Sequence, residues 1–254
     1  MGKVIAITNQ KGGVGKTTTA VSLCAGFQIK GLKSLLVDLD SQGNASAASG
    51  FIIEDGTKTL KDFFIEKDPL TDYILHTEIN DIIPSNNSLK DIEGLLHGNT
   101  EHAFFRSSLH TLEPEYDYIV LDCPPSINIF TQHALIAAQE FIIPVDMGYF
   151  SILGLKQLLE EIDAVKDTYN PGLTLRGVLA CKYDRRTTLS AQVYEILKSS
   201  FPDHLFKTVI RANIDVVRSQ IAQKNIFQYN PRSPAARDFL ELTEEIINGE
   251  EAAR

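Results

Sequence analysis

The run Gln10-Lys11-Gly12-Gly13-Val14-Gly15-Lys16-Thr17-Thr18 constrains this chain more than any other part of it. It follows a short β-branched run, Lys3-Val4-Ile5-Ala6-Ile7-Thr8. It precedes a segment over residues 17–30 in which Ala20, Leu23, Cys24 and Phe27 recur at helical spacing before Gly31. That order predicts a strand, a glycine turn and a helix. Glycines let backbone N–H groups turn inward, and the helix N-terminus behind them favours anions. Such a loop cradles phosphates, with Lys16 placed for the β- and γ-phosphates of a nucleotide and the Thr17 hydroxyl for Mg2+. Gln10 stands where the common G-x-x-x-x-G-K-[ST] pattern has its first glycine, and Lys11 adds a second lysine. The alternative is a chance glycine turn, and the strand–loop–helix setting argues against it.

Further strand-like runs fall at residues 34–38, 82–84, 118–121, 141–145 and 175–179, separated by amphipathic segments of helix length. Strands alternating with helices predict a doubly wound α/β fold, a mostly parallel sheet with helices on both faces. No repeat, low-complexity tract or Pro/Ser linker interrupts the 254 residues, so the chain reads as one domain over 1–254. Residues 50–115 are the least regular and are expected to hold short helices on one flank. No stretch approaches the ~18–20 apolar residues of a membrane-spanning helix. The N-terminal apolar run is too short for a signal peptide. Cys24, Cys123 and Cys181 are odd in number and widely spaced, which suggests neither a disulfide framework nor a zinc site. A reducing cytoplasm is the expected setting.

The net charge is −9, but it is unevenly spread. Residues 1–150 carry the whole acidic excess, whereas 151–254 are balanced, and the window 182–232 holds nine basic residues against four acidic ones. A local cationic face on an acidic protein still attracts phosphate backbones, because charge is read over about a Debye length.

The double-lysine loop resembles the deviant Walker A motif of the ParA/MinD group, and most closely that of ParA/Soj partition ATPases. Two further stretches carry the resemblance in the same order. Leu36-Val37-Asp38-Leu39-Asp40-Ser41-Gln42-Gly43-Asn44 is similar to the family's V-D-x-D-P-Q-G-N, with Ser41 for proline. Tyr118-Ile119-Val120-Leu121-Asp122-Cys123-Pro124-Pro125-Ser126 is similar to its Walker B and switch region. Looser matches at 144–155, 177–189 and 230–233 extend the likeness over most of the chain.

The resemblance implies a P-loop ATPase that uses ATP and Mg2+ and forms a homodimer when ATP is bound. Gly12, Gly13, Val14, Gly15, Lys16, Thr17 and Thr18 would bind the nucleotide, and Lys11 would reach the partner's phosphates. A cation there neutralises charge on the transferring phosphoryl group. Asp40, just past a strand end, is placed to orient or deprotonate the attacking water; its bland alternative is a helix N-cap for the segment near Asn44. Asp122 would hold Mg2+ through water, or else be a strand-end turn residue. Asp38 fits a buried hydrogen-bonded carboxylate as well as a catalytic part. Asn213 is a candidate for the adenine pocket, with Arg211 beside it.

The family binds duplex DNA without sequence preference. Arg186 matches its most characteristic basic position, and Arg185, Arg211, Arg218 and Lys224 are candidate neighbours; a solvated basic rim is the competing reading. The chain departs from the family at Gly148, where a glutamate is usual, and at Ala212 and Asp215, where arginines are usual. The implied function is segregation or positioning of chromosome or plasmid DNA with a ParB-like partner, in the cytoplasm and on the nucleoid. With the loop at residue 10 there is no room for an N-terminal helix-turn-helix, so operator binding is not expected.

Three other classes compete with this one, among them a non-catalytic interaction module that kept only nucleotide binding, against which Lys11, Lys16, Thr17, Asp40 and Asp122 stand together. A MinD-like ATPase positioning a protein at a membrane or on other cargo would need a basic amphipathic tail, whereas residues 242–251 are acidic. A nitrogenase-reductase-like iron–sulfur enzyme would need two cysteines at a dimer seam, and only Cys123 is near one.

Overall fold

In the computed structural model, which describes residues 2–251 apart from 52, 55, 78, 79 and 97, eight strands share one sheet among the described residues. They are β1 (Lys3–Ile7), β2 (Ser34–Asp38), β3 (Leu75–His76), β4 (Asp81–Ile83), β5 (Tyr118–Asp122), β6 (Glu140–Asp146), β7 (Thr174–Tyr183) and β8 (Ile210–Arg211). Their order is β3-β4-β2-β5-β1-β6-β7-β8, parallel throughout except that β3 runs antiparallel to β4. The strand order reverses around β1, which lies between β5 and β6. In open α/β sheets the crevice beyond the strand carboxyl ends at such a point is where ligands bind.

The helices are α1 (Lys16–Ile29), α2 (Asn44–Ala48), α3 (Leu60–Glu66), α4 (Asn99–Leu112), α5 (Ile129–Ala137), α6 (Tyr149–Tyr169), α7 (Thr188–Ser200), α8 (Ile214–Ile221), α9 (Ile226–Tyr229) and α10 (Pro234–Glu251). Alternate strand residues face opposite layers. Val4, Ala6, Leu35 and Val37 belong to the core shared with α3 to α7, whereas Ile5, Ile7 and Leu36 join α1 and α10. Burial on both faces is why these strands read as continuous apolar runs. The doubly wound expectation holds. Residues 50–115 carry α3, α4, 3-10 turns at Leu70–Tyr73 and Asn87–Leu95, and the β3/β4 pair. The two-residue strands β3 and β8 are too short to leave a period in the sequence. Met1 and residues 252–254 of the expected 1–254 domain lie outside the described residues. No described helix is long and apolar enough to cross a membrane.

One polar pair is buried in the α4/α5 layer. The His133 ring lies 5.2 Å from Phe64 and 5.7 Å from Phe105, and its Nδ1 is 3.1 Å from Nδ1 of His102. Burial, followed by the charges of His102 and Lys67, holds His133 down to about 3. In the unfolded chain the same imidazole takes its proton near pH 6.5. The group therefore stabilises nothing extra above 6.5 and removes stability as pH falls from there toward 3, by about 1.4 kcal/mol per pH unit. His133→Phe is expected to flatten the acid limb of Tm against pH; parallel curves for the two proteins would assign that limb elsewhere.

Candidate nucleotide site

The glycine loop joins β1 to α1 at the sheet's reversal point. Gly13 and Gly15 hold φ of +73° and +110°, a region that penalises any residue with a Cβ. A Cβ built on Gly12 or Gly13 would meet nothing within 4 Å, so this stretch faces open space. Val14 is buried and anchors the loop. Gln10 lies outside the positive-φ region, so its position does without glycine; its amide donates to Glu161 Oε2 at 2.6 Å. Asn9 donates to the Pro144 carbonyl at 2.7 Å and accepts the Lys11 N–H at 3.0 Å, which ties the loop to β6.

The loop, the first turn of α1, Asp40, Pro125, Gln220 and Lys224 border a cleft of about 510 Å³. Lys16 is buried, and its Nζ donates to the Lys11 carbonyl at 3.1 Å. Burial pulls its ammonium below the ordinary range, while the charges of Asp122 and Asp40 push back. Asp40 Oδ1 accepts the Gln42 N–H at 2.9 Å, and the N-cap of α2 is Gly43. Asp40 thus shapes its own turn rather than capping the helix, and it faces the cleft.

Asp38 and Asp122 stand opposite each other on β2 and β5. Asp38 accepts the Ser46 N–H at 2.9 Å, the Ser46 hydroxyl at 2.8 Å and the Asp40 N–H at 3.1 Å. Burial still pushes its carboxyl up, to about 7. Both Asp122 oxygens are buried without a hydrogen-bond partner. Burial, then the Asp38 charge, pushes Asp122 well up, and the nearby Thr17 hydroxyl and Lys16 ammonium pull the other way. An orphaned buried carboxylate is costly unless something arrives to use it. A hydroxyl and a carboxylate are the hard oxygen donors that Mg2+ takes, so Thr17 and Asp122 fit that ion.

Lys11 is not among the residues lining this cleft. Its Nζ lies 3.1 and 3.0 Å from the two oxygens of Asp146 and donates to Ser151 Oγ at 2.8 Å. Ser151 in turn donates to Asp146. Burial alone would raise the Asp146 carboxyl, but hydrogen bonds from Ser151, Lys11 and the Gly148 N–H hold it below the usual range. An acid therefore stands at the end of β6, two residues before Gly148.

A second, mostly apolar cleft of about 440 Å³ adjoins the first and is bordered by Val14, Ile210, Arg211, Asn213, Val217 and Phe239 among others. Asn213 caps α8, its oxygen accepting the Asp215 N–H at 2.7 Å. Arg211 is held by the buried Asp238, with Nε 3.0 Å from both carboxylate oxygens, and also donates to the Pro234 carbonyl. Its charge is therefore matched within the fold. Arg185 and Arg186 lie apart from both clefts, in the turn between β7 and α7. Arg186 is exposed and forms a bidentate pair with Asp184, Nε at 3.0 Å and Nη2 at 2.8 Å. Arg218 lies on α8, 3.6 Å from Asp215. Lys224 borders the phosphate cleft itself.

A strand-to-helix phosphate loop with a buried lysine, and a strand-end carboxylate beside it, define a P-loop nucleotide-binding protein of the double-lysine kind. Residues 2–175 match the family model described as an AAA domain. The chain is 39% identical over 249 residues to the sporulation initiation inhibitor protein Soj of Bacillus subtilis, covering 97% of this chain and 98% of Soj. It is 34% identical to the chromosome partitioning protein ParA of Caulobacter vibrioides, over 98% of this chain and 95% of that one. Cobyrinic acid a,c-diamide synthase from Mycobacterium smegmatis, solved with bound ADP and magnesium, superposes with a TM-score of 0.87 at 26% identity, over 100% of this chain and 97% of that one. The chain belongs to the ParA/Soj family of P-loop ATPases.

Reasoning from sequence missed Asp146, Ser151 and Lys182, all of which touch the loop from β6, α6 or β7. The only sequence signal for Asp146 is an acid at the end of a strand-like run.

Proposed function

We propose that this chain is a cytoplasmic, nucleoid-associated ATPase, a single domain over 1–254, that uses ATP and Mg2+ to position or segregate DNA. The observation that carries the ATPase reading is the cleft lined by Lys16, Thr17 and Asp40, with the buried, unpartnered Asp122 close enough behind it for its charge to act on Lys16. The loop N–H groups and Lys16 bind the phosphates, and the apolar cleft with Asn213 takes the base. Thr17 and Asp122 would hold Mg2+, which when bound would offset phosphate charge. Asp40 orients the attacking water or takes its proton.

ATP binding brings two copies together. Lys11 supports this part of the reading, because its ammonium lies outside its own cleft and is held by Asp146 and Ser151. It leaves that pair to reach the partner's phosphates. The dimer binds duplex DNA non-specifically through Arg185, Arg186 and Arg218, and a ParB-like partner stimulates hydrolysis and release. Arg211 and Lys224 face other work, one paired with Asp238 and the other beside the phosphate cleft. The MinD-like alternative finds no support in α10, since Phe239, Leu242 and Ile246 are buried in the core with α1.

The test is fluorescence anisotropy with a random-sequence duplex at low salt, comparing ATP, a non-hydrolysable analogue, ADP and no nucleotide. Binding is expected only with ATP or the analogue; equal binding in all four states would reduce the basic residues to ordinary electrostatics. Arg186→Glu is expected to lose DNA binding at matched salt while dimerising normally with ATP. Unchanged DNA affinity would remove Arg186 from the interface.

A further inference from the structure

β7 ends in an irregularity. Cys181 pairs with Ile210 and Tyr183 with Arg211, so Lys182 is an extra residue between two register positions. Its φ is +57°, where an L side chain crowds its own backbone and glycine does not. Three described non-glycine residues adopt such a conformation, Lys67, Lys182 and Gln223. Lys67 caps α3 and Gln223 follows the C-cap of α8, where a left-handed residue is the ordinary way to end a helix. Lys182 ends no helix. A left-handed lysine at a strand irregularity is an outlier of the kind that gathers at ligand sites, where a bulge re-aims a side chain.

The aim is visible. Lys182 is exposed, and its Nζ reaches back over the glycine loop to donate to the Gly13 carbonyl at 2.5 Å. It borders both the phosphate cleft and the apolar cleft, as do Gly15, Thr18, Val216 and Val217, so it stands where the two meet. Behind it, a Cβ on Gly15 would lie 3.6 Å from Cys181 Sγ, so the end of β7 is packed against the loop and the lysine's reach is preset. A cation resting on a neutral carbonyl exchanges readily for an anionic oxygen, because hydrogen bonds between ionised groups are the stronger ones.

We propose that Lys182 is a nucleotide-binding residue, its ammonium passing from the Gly13 carbonyl to a phosphate oxygen of a nucleoside di- or triphosphate lying across the two clefts. The inference rests on the nucleotide reading above and deepens it. Lys16 of the glycine loop supplies charge from one side, and Lys182 supplies it from the strand on the other.

The experiment is calorimetric titration of ADP into the wild-type protein, Lys182→Gly and Lys182→Arg, with the Tm of each ligand-free protein measured alongside. Lys182→Gly is expected to bind ADP about tenfold more weakly. Its ligand-free Tm is expected to stay level or rise, because glycine relieves the left-handed backbone. Lys182→Arg, which restores the cation, recovers most of the affinity. An unchanged ADP affinity in Lys182→Gly overturns the proposal. So does a lower ligand-free Tm in that variant, which would make the lysine a strut for the loop. A wild-type protein that binds no ADP would bring down the nucleotide reading, and this inference with it.

Discussion

Lys16→Gln is expected to raise the Kd for ATP and ADP by about a hundredfold or more. Lys16 lies at the start of α1, buried, with its ammonium on the Lys11 carbonyl and the charges of Asp122 and Asp40 acting on it. A bound polyphosphate would replace a neutral carbonyl with anionic oxygens at the point where burial makes each charge–charge contact count most. Glutamine keeps a donor group on a slightly shorter side chain but removes the charge. The loop N–H groups and the helix terminus remain, so the residual binding measures what they supply alone. Titration with ADP avoids turnover and gives the number directly. An affinity within about threefold of wild type would mean that phosphate does not rest beside Lys16.

Asp40→Ala is expected to leave ATP affinity close to wild type and to lower turnover by about 10²–10⁴, the span that a positioned acid or base contributes. Asp40 is largely buried, faces the phosphate cleft and uses one oxygen to shape its turn through the Gln42 N–H. The other oxygen is left for water. Losing the carboxylate removes the group that aligns or deprotonates that water while leaving Lys16, Thr17 and the loop in place. In the DNA-binding reading the variant would stay on duplex DNA with ATP as long as wild type does with a non-hydrolysable analogue. Single-turnover hydrolysis and dissociation from DNA, followed together, check both halves. Normal hydrolysis in Asp40→Ala would assign the water to another residue.

Much of the fold was legible before any coordinates. β2 was expected at residues 34–38 and is found there, and α1 differs from its expected bounds by one residue at each end. Both signals are local: a short apolar run, or an apolar repeat ended by a glycine. The strands at the sheet edges were lost for the opposite reason. β3 and β8 hold two residues each, too few for alternation, and exist because longer neighbours offer them an edge.

The site divides along the same line. Glycines at Gly13 and Gly15, a lysine at Lys16 and a threonine at Thr17 are required by backbone dihedrals and phosphate geometry within a few residues, so the sequence by itself determined the phosphate loop and the class of protein built on it. Tertiary structure decided which charges meet. Arg211, read from sequence as a candidate DNA and nucleotide contact, is paired with Asp238; Lys11 is held by Asp146; Lys182 reaches Gly13 from another strand. Those partners are separated by 27, 135 and 169 positions along the chain. No local period or motif encodes a pairing at that distance. For Lys11 and Lys182 it follows only once the parallel sheet sets β1, β6 and β7 side by side and brings their carboxyl ends to one edge, and for Arg211 only once α10 packs against β8.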